Sequence, residues 1–174
     1  MIWQHFFSQL RQGLLAPNDG DGLVRYLEDF VPGQRIELAP ITVQEPEIIE
    51  FAKRFDPQAF HVDPGHPTTL SLGGLMASGW HTAALFMRMI VDAYLTDTAV
   101  LTSPGVDELR WLHPVRPGDT LCGEVIVEQV RISESKPDRG LLCTRVVLHN
   151  QSDEAVFSVK TLAFVLRRPA NELP

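Results

Sequence analysis

The 174 residues are enough for one domain with a substantial core, and 44% hydrophobic with 21% charged residues is the balance of an ordinary folded chain. Fifteen Lys and Arg against 22 Asp and Glu leave a formal charge of −7, which speaks against nucleic acid or an anionic membrane as the main partner. Cys122 and Cys143 form no Cys-x-x-Cys or Cys/His cluster, so no structural zinc is expected, and they read as buried thiols of a reducing compartment.

Residues 2–15 place Ile2, Phe6, Leu10 and Leu14 on one helical stripe. Gln4, His5, Gln9, Arg11 and Gln12 interrupt that run, so neither a secretory leader nor a membrane span is expected, and the cytoplasm is the default location. The expected division is an N-terminal helical extension over 1–30, a domain over 31–168 and a frayed tail over 169–174, with the fraying expected to begin at about residue 167. Pro32-Gly33 marks a turn and 35–41 a short strand. Over 44–55 the spacing of Ile48, Phe51, Ala52 and Phe55 predicts a helix. Pro46 falls in its first turn, where a missing N–H does least harm, and Pro57 disfavours helical angles at Asp56 and stops it.

Residues 61–74 read as a loop containing Pro64, Gly65, Pro67, Gly73 and Gly74. Ser78 is a candidate N-cap for a helix over 80–95 that is apolar almost all round, the pattern of an element wrapped by other structure. From 100 onward strands dominate, with candidates at 106–113, 120–132, 141–149 and 155–166. They are separated by the 114–119 turn, a polar hairpin loop at 133–140 and Gln151-Ser152-Asp153. One long helix followed by an antiparallel sheet gives an α+β layout.

Two groups carry possible chemistry. Asp56 at a helix end and His61 beyond a Pro-containing step can share one water, and an imidazole exchanges protons near neutral pH. The helix start at Ser78-Gly79 offers free N–H groups and the positive end of the macrodipole to an oxyanion. Each alone has a plain reading: a solvated loop carboxylate, a loop histidine, a glycine that permits close packing. Asp63 reads as a structural acceptor, His66 as a surface loop residue and His81 as a first-turn helix residue. Arg110 and Arg116 read as solvated arginines that could also meet a phosphate.

Asp56-Pro57-Gln58-Ala59-Phe60-His61-Val62-Asp63, followed by Gly73-Gly74 and Ser78-Gly79, resembles the MaoC-like dehydratase family, which includes R-specific enoyl-CoA hydratases. The family pattern is Asp-x-Asn-Pro-x-His-x-Asp, then a Gly-rich segment and a His-Gly pair opening a buried helix. This chain keeps the Asp-to-His spacing. It departs at Gln58 for Asn, Ala59 for Pro, Ser78 for His, and Met87 where some hydratases have a serine. The resemblance implies a hotdog fold, in which the sheet wraps the central helix, and a homodimer. It implies a lyase of fatty acid metabolism that hydrates a 2-enoyl thioester or dehydrates a 3-hydroxyacyl thioester. Asp56 and His61 would be catalytic, the Gly79 N–H would bind the thioester oxygen, and Gln58, Ser78, Trp80, Met87 and Trp111 would surround the substrate. No cofactor or metal is implied; coenzyme A or acyl carrier protein arrives as part of the substrate. A hotdog thioesterase and a non-catalytic acyl-thioester binding module are the alternatives.

Overall fold

The computed structural model describes residues 24–169. The expected N-terminal helix at 2–15 and the 170–174 end of the expected tail lie outside them. After a short 3-10 turn, Leu27–Asp29, come β1 (Arg35–Thr42), α1 (Glu45–Phe55), α2 (Ala59–Val62), α3 (Pro67–Ser71) and α4 (Gly79–Ile90). A single π turn, Val91–Leu95, extends α4, and then follow β2 (Val100–Trp111), β3 (Thr120–Ile132), β4 (Arg139–His149) and β5 (Ala155–Leu166). The five strands form one antiparallel sheet in the order β1-β3-β4-β5-β2. The α+β layout of a sheet with one main helix is therefore observed.

Alternation along β4 and β5 gives the sheet its buried face. Leu142, Val146, Leu148, Val156, Val159 and Val165 are almost fully enclosed. Helix α4 lies on that face through Phe86, Met89 and Ile90, and the Phe86 ring tilts against Phe157 at 5.3 Å between centroids. Tyr94, in the π turn, reaches the sheet with its phenol. Burial raises its pKa, and its hydroxyl bonds the side chains of Thr144 and Thr161, which also meet each other at 2.7 Å. A buried polar trio with all members paired fixes where the helix end sits without leaving an orphan group.

The structure alters several sequence expectations. The 61–74 stretch is not a plain loop, since it begins at the end of α2 and contains α3. Strand β2 starts at Val100, six residues before the expected 106; its register slips three times against β5, and Glu108 takes a positive φ of 51° in the third irregularity. Helix α4 is not enclosed all round: Trp80 (61%) and Met87 (45%) are exposed on its outer face. Cys122 is exposed rather than buried. Arg167 and Arg168 are held, not frayed, through Glu28 and Asp29.

Candidate active site

Asp56 is placed by the way α1 ends. The Asp56 N–H donates to the Ala52 carbonyl at 2.8 Å, closing the last turn. Its own angles (φ −152°, ψ 66°) then leave the helix, as the following proline requires. The chain re-enters a helix at once. Gln58 caps α2, and His61 sits in that turn, buried, with the Phe60 ring edge-on at 4.4 Å. The next segment runs back past it: the Met76 N–H donates to the Phe60 carbonyl at 3.1 Å and the Ala77 N–H to the Val115 carbonyl at 2.8 Å. This brings Ser78 and the start of α4 beside Asp56.

Each Asp56 oxygen receives one neutral donor. The Gln58 amide nitrogen donates to Oδ1 at 2.8 Å and the Ser78 hydroxyl to Oδ2 at 2.7 Å. His61 Nε2 lies 3.5 Å from Oδ2. The Ser78 hydroxyl holds the Asp56 carboxyl below its usual pKa against the opposing effect of burial; the Gln58 amide adds to it, as does the charge of His61 when its ring is protonated. His61 Nδ1 stands 2.8 Å from the Met76 carbonyl oxygen. A carbonyl can only accept, so Nδ1 carries the proton and Nε2 of the neutral ring presents its lone pair toward Asp56.

These groups line an open cleft of about 360 Å³ with Met76, Ala77, Gly79, Trp80, Thr82, Trp111 and the 112–115 segment. The Gly79 N–H donates no hydrogen bond among the described residues. The indole of Trp111 closes one side, donating from Nε1 to the Gly79 carbonyl at 2.8 Å and meeting Trp80 edge-to-face at 5.3 Å. Of the site residues named from sequence, the cleft gathers Asp56, His61, Ser78, Gly79, Trp80 and Trp111. Gln58 touches Asp56 from outside it, and Met87 lies on the exposed face of α4, away from it.

Sequence reasoning missed three contributors. The Met76 carbonyl sets the His61 tautomer, and backbone groups leave no mark in a side-chain motif. His113 lines the cleft with Nδ1 2.8 Å from the Ala155 carbonyl. Arg116 is no solvated arginine: its guanidinium donates to the carbonyls of Leu72 and Gly74 at 2.8 and 2.9 Å, so it clamps the Gly-rich segment. The Arg116-Pro117-Gly118-Asp119 turn was the available signal. Asp63 accepts from the Gly65 N–H at 2.9 Å, a structural contact as expected. His66 caps α3, accepting from the Thr68 N–H. No cluster of three or more His, Cys, Asp or Glu among the described residues could hold a metal ion, and no helix among them is long and apolar enough to cross a membrane.

Sheet, central helix and cleft together define a hotdog domain. Residues 29–141 match the MaoC like domain, and the chain belongs to the MaoC-like dehydratase family. It is similar in structure to the MaoC-like dehydratase from Rhodospirillum rubrum, with 38% sequence identity, a TM-score of 0.74, and coverage of 83% of this chain and 99% of that one. It is also 26% identical to the uncharacterized protein YdeM of Bacillus subtilis (strain 168), over 81% of this chain and 99% of YdeM. The unliganded R-hydratase PhaJ1 from Pseudomonas aeruginosa shares the fold, with 23% identity, a TM-score of 0.65, and coverage of 86% of this chain and 93% of that one.

Proposed function

We propose that the protein is an acyl-thioester hydratase/dehydratase of the R-specific enoyl-CoA hydratase kind, adding water to a 2-enoyl thioester or running the reverse dehydration. The observation that carries the reading is the meeting of Asp56 and His61 in one cleft at the start of α4. With His61 neutral and Asp56 ionised, both groups present acceptors to each other, so neither donates to the other. A water donating one hydrogen to each would keep a lone pair on its oxygen free for C3 of the alkene. As that oxygen bonds to C3, His61 Nε2 takes the proton. The alkene electrons move toward the thioester oxygen, where the Gly79 N–H meets the developing charge. The imidazolium then returns its proton to C2, and its charge is balanced by Asp56, which stays ionised. The sum is one water added across one double bond. No metal or redox cofactor enters the scheme; the acyl carrier, coenzyme A or acyl carrier protein, belongs to the substrate.

The reading includes a homodimer. Strand β2 is an edge strand with exposed Val106 and Trp111, Leu112 just beyond its end is exposed too, and α4 exposes Trp80 and Met87. An exposed edge of twelve residues with apolar side chains is a template for pairing, and a second copy pairing there would cover both elements. The cytoplasm is the proposed location.

The test is turnover of crotonyl-CoA followed by loss of the enoyl absorbance, with free thiol measured in parallel. Wild type should hydrate it, and Asp56→Asn and His61→Ala should each fall by about 10²–10⁴-fold. Unchanged rates in both variants would refute the assignment, and thiol release without hydration would select a thioesterase.

A further inference from the structure

We propose that Ser78 is the positioning residue of this site: its hydroxyl locks the Asp56 carboxylate to the first turn of α4, so that acid and helix start move as one unit. Ser78 is 0% exposed, so it is not free to meet substrate from the cleft, and its hydroxyl is fully engaged. It donates to Asp56 Oδ2 at 2.7 Å and accepts from the Trp80 N–H at 3.2 Å. Its carbonyl accepts the Thr82 N–H at 3.1 Å and the Thr82 hydroxyl at 3.4 Å. One residue therefore caps α4 and holds the carboxylate of another segment 22 positions earlier. A hydroxyl has a single hydrogen. With the Trp80 N–H pointing at its oxygen, that hydrogen is directed to Asp56, and the polarity of the contact is fixed.

The consequence falls on Oδ2, the same oxygen that lies 3.5 Å from His61 Nε2. A hydroxyl donating there orients the carboxylate and stabilises its charged form. Gln58 holds the other oxygen from an exposed position, where water can replace its amide. Ser78, fully buried, has no exposed surface through which water competes for its hydroxyl in the folded protein. Loss of Ser78 is therefore expected to matter more than loss of Gln58.

The kinetic part of the test rests on the hydratase reading; the titration part does not. The Asp56 carboxyl is followed by carbon NMR in the free protein, with Asp56→Asn identifying the signal. Wild type is compared with Ser78→Ala and with Ser78→Gly, the latter because glycine is tolerated at helix caps. In both, the Asp56 midpoint should rise by about one pH unit, as expected for losing a hydrogen bond to a charged group. Gln58→Ala should shift it less. In crotonyl-CoA hydration the acid limb of kcat should move up with the midpoint, and kcat should fall more than KM changes. An unmoved midpoint in folded Ser78→Ala or Ser78→Gly overturns the proposal. A raised midpoint in a protein whose wild type hydrates no enoyl thioester upholds the Ser78 contact and removes the hydratase reading instead.

Discussion

Trp111 lies against Gly79 so closely that a methyl group on residue 79 would stand 2.4 Å from the indole ring, while the indole N–H donates to the Gly79 carbonyl at 2.8 Å. The glycine is required by this approach and not by its backbone angles, which are helical. A rigid ring cannot yield as the end of a flexible chain would. Gly79→Ala should therefore displace Trp111 or the first turn of α4, at a stability cost of about 1–3 kcal/mol. Hydration should fall by at least about 10²-fold if the oxyanion donor moves. Tryptophan fluorescence checks the displacement and turnover checks the consequence; a variant unchanged in both would contradict the packing.

Arg116 supplies the second prediction. Its guanidinium is committed to backbone carbonyls of the Gly-rich segment, and a Cβ on Gly73 would come within 3.2 Å of it. Lysine cannot reproduce a planar fork. Arg116→Lys should lower stability by about 1.5–3 kcal/mol, the scale of hydrogen bonds made by charged groups. KM for crotonyl-CoA should stay close to wild type, because this arginine is not held for a carrier phosphate. Chemical denaturation and steady-state kinetics check the two halves separately.

The third concerns pH. His81 is buried, stacked on Phe51 at 4.9 Å, and its Nδ1 has no hydrogen-bond partner among the described residues. Burial lowers its pKa, with only partial compensation from Glu47. The unfolded chain then takes up a proton at a higher pH than the folded one. Stability is full above about pH 6.5 and is lost as pH falls below it toward the depressed folded value. Thermal melts between pH 7.5 and about 5 should show a steeper loss for wild type than for His81→Leu, which has no proton to bind. Parallel slopes would exclude this histidine as the source.

The fourth tests the edge of the sheet. A charge placed at exposed Val106, as in Val106→Glu, opposes pairing of β2 with another copy and leaves the buried face of the sheet intact. Sedimentation should give a dimer for wild type and a shift toward monomer for the variant. A wild-type monomer would remove the homodimer from the proposed function.

How far the sequence could be read follows from where its signals lie. Alternation and β-branched runs placed β3 and β5 at their observed bounds, and Pro57 placed Asp56 at a helix end. Helix α3 was hidden because Pro67, which reads as a breaker, sits in its first turn, where proline is tolerated. The early start of β2 was hidden because Pro104-Gly105 lies inside an edge strand, the one place in a sheet that accepts them. At the site, Asp56, His61 and Gly79 stand out through the resemblance of their spacing to the family pattern. The Ser78 contact did not, because a cap serine looks the same whether or not its hydroxyl also reaches a carboxylate from another segment. Met87 was placed by analogy of position, and a helix face is decided by what packs on it.

Acid, imidazole and capping hydroxyl all fall between positions 56 and 78, and the carbonyl that orients the imidazole belongs to the same span. That span is a cassette. A single exchange of it between two hotdog scaffolds would carry the reactive groups together with their internal bracing. The recipient would have to match the Ala52 and Val115 carbonyls, the Arg116 clamp and the Trp80 and Thr82 groups that bond Ser78, so hybrid proteins built at these two junctions offer a direct route to separating chemistry from substrate choice.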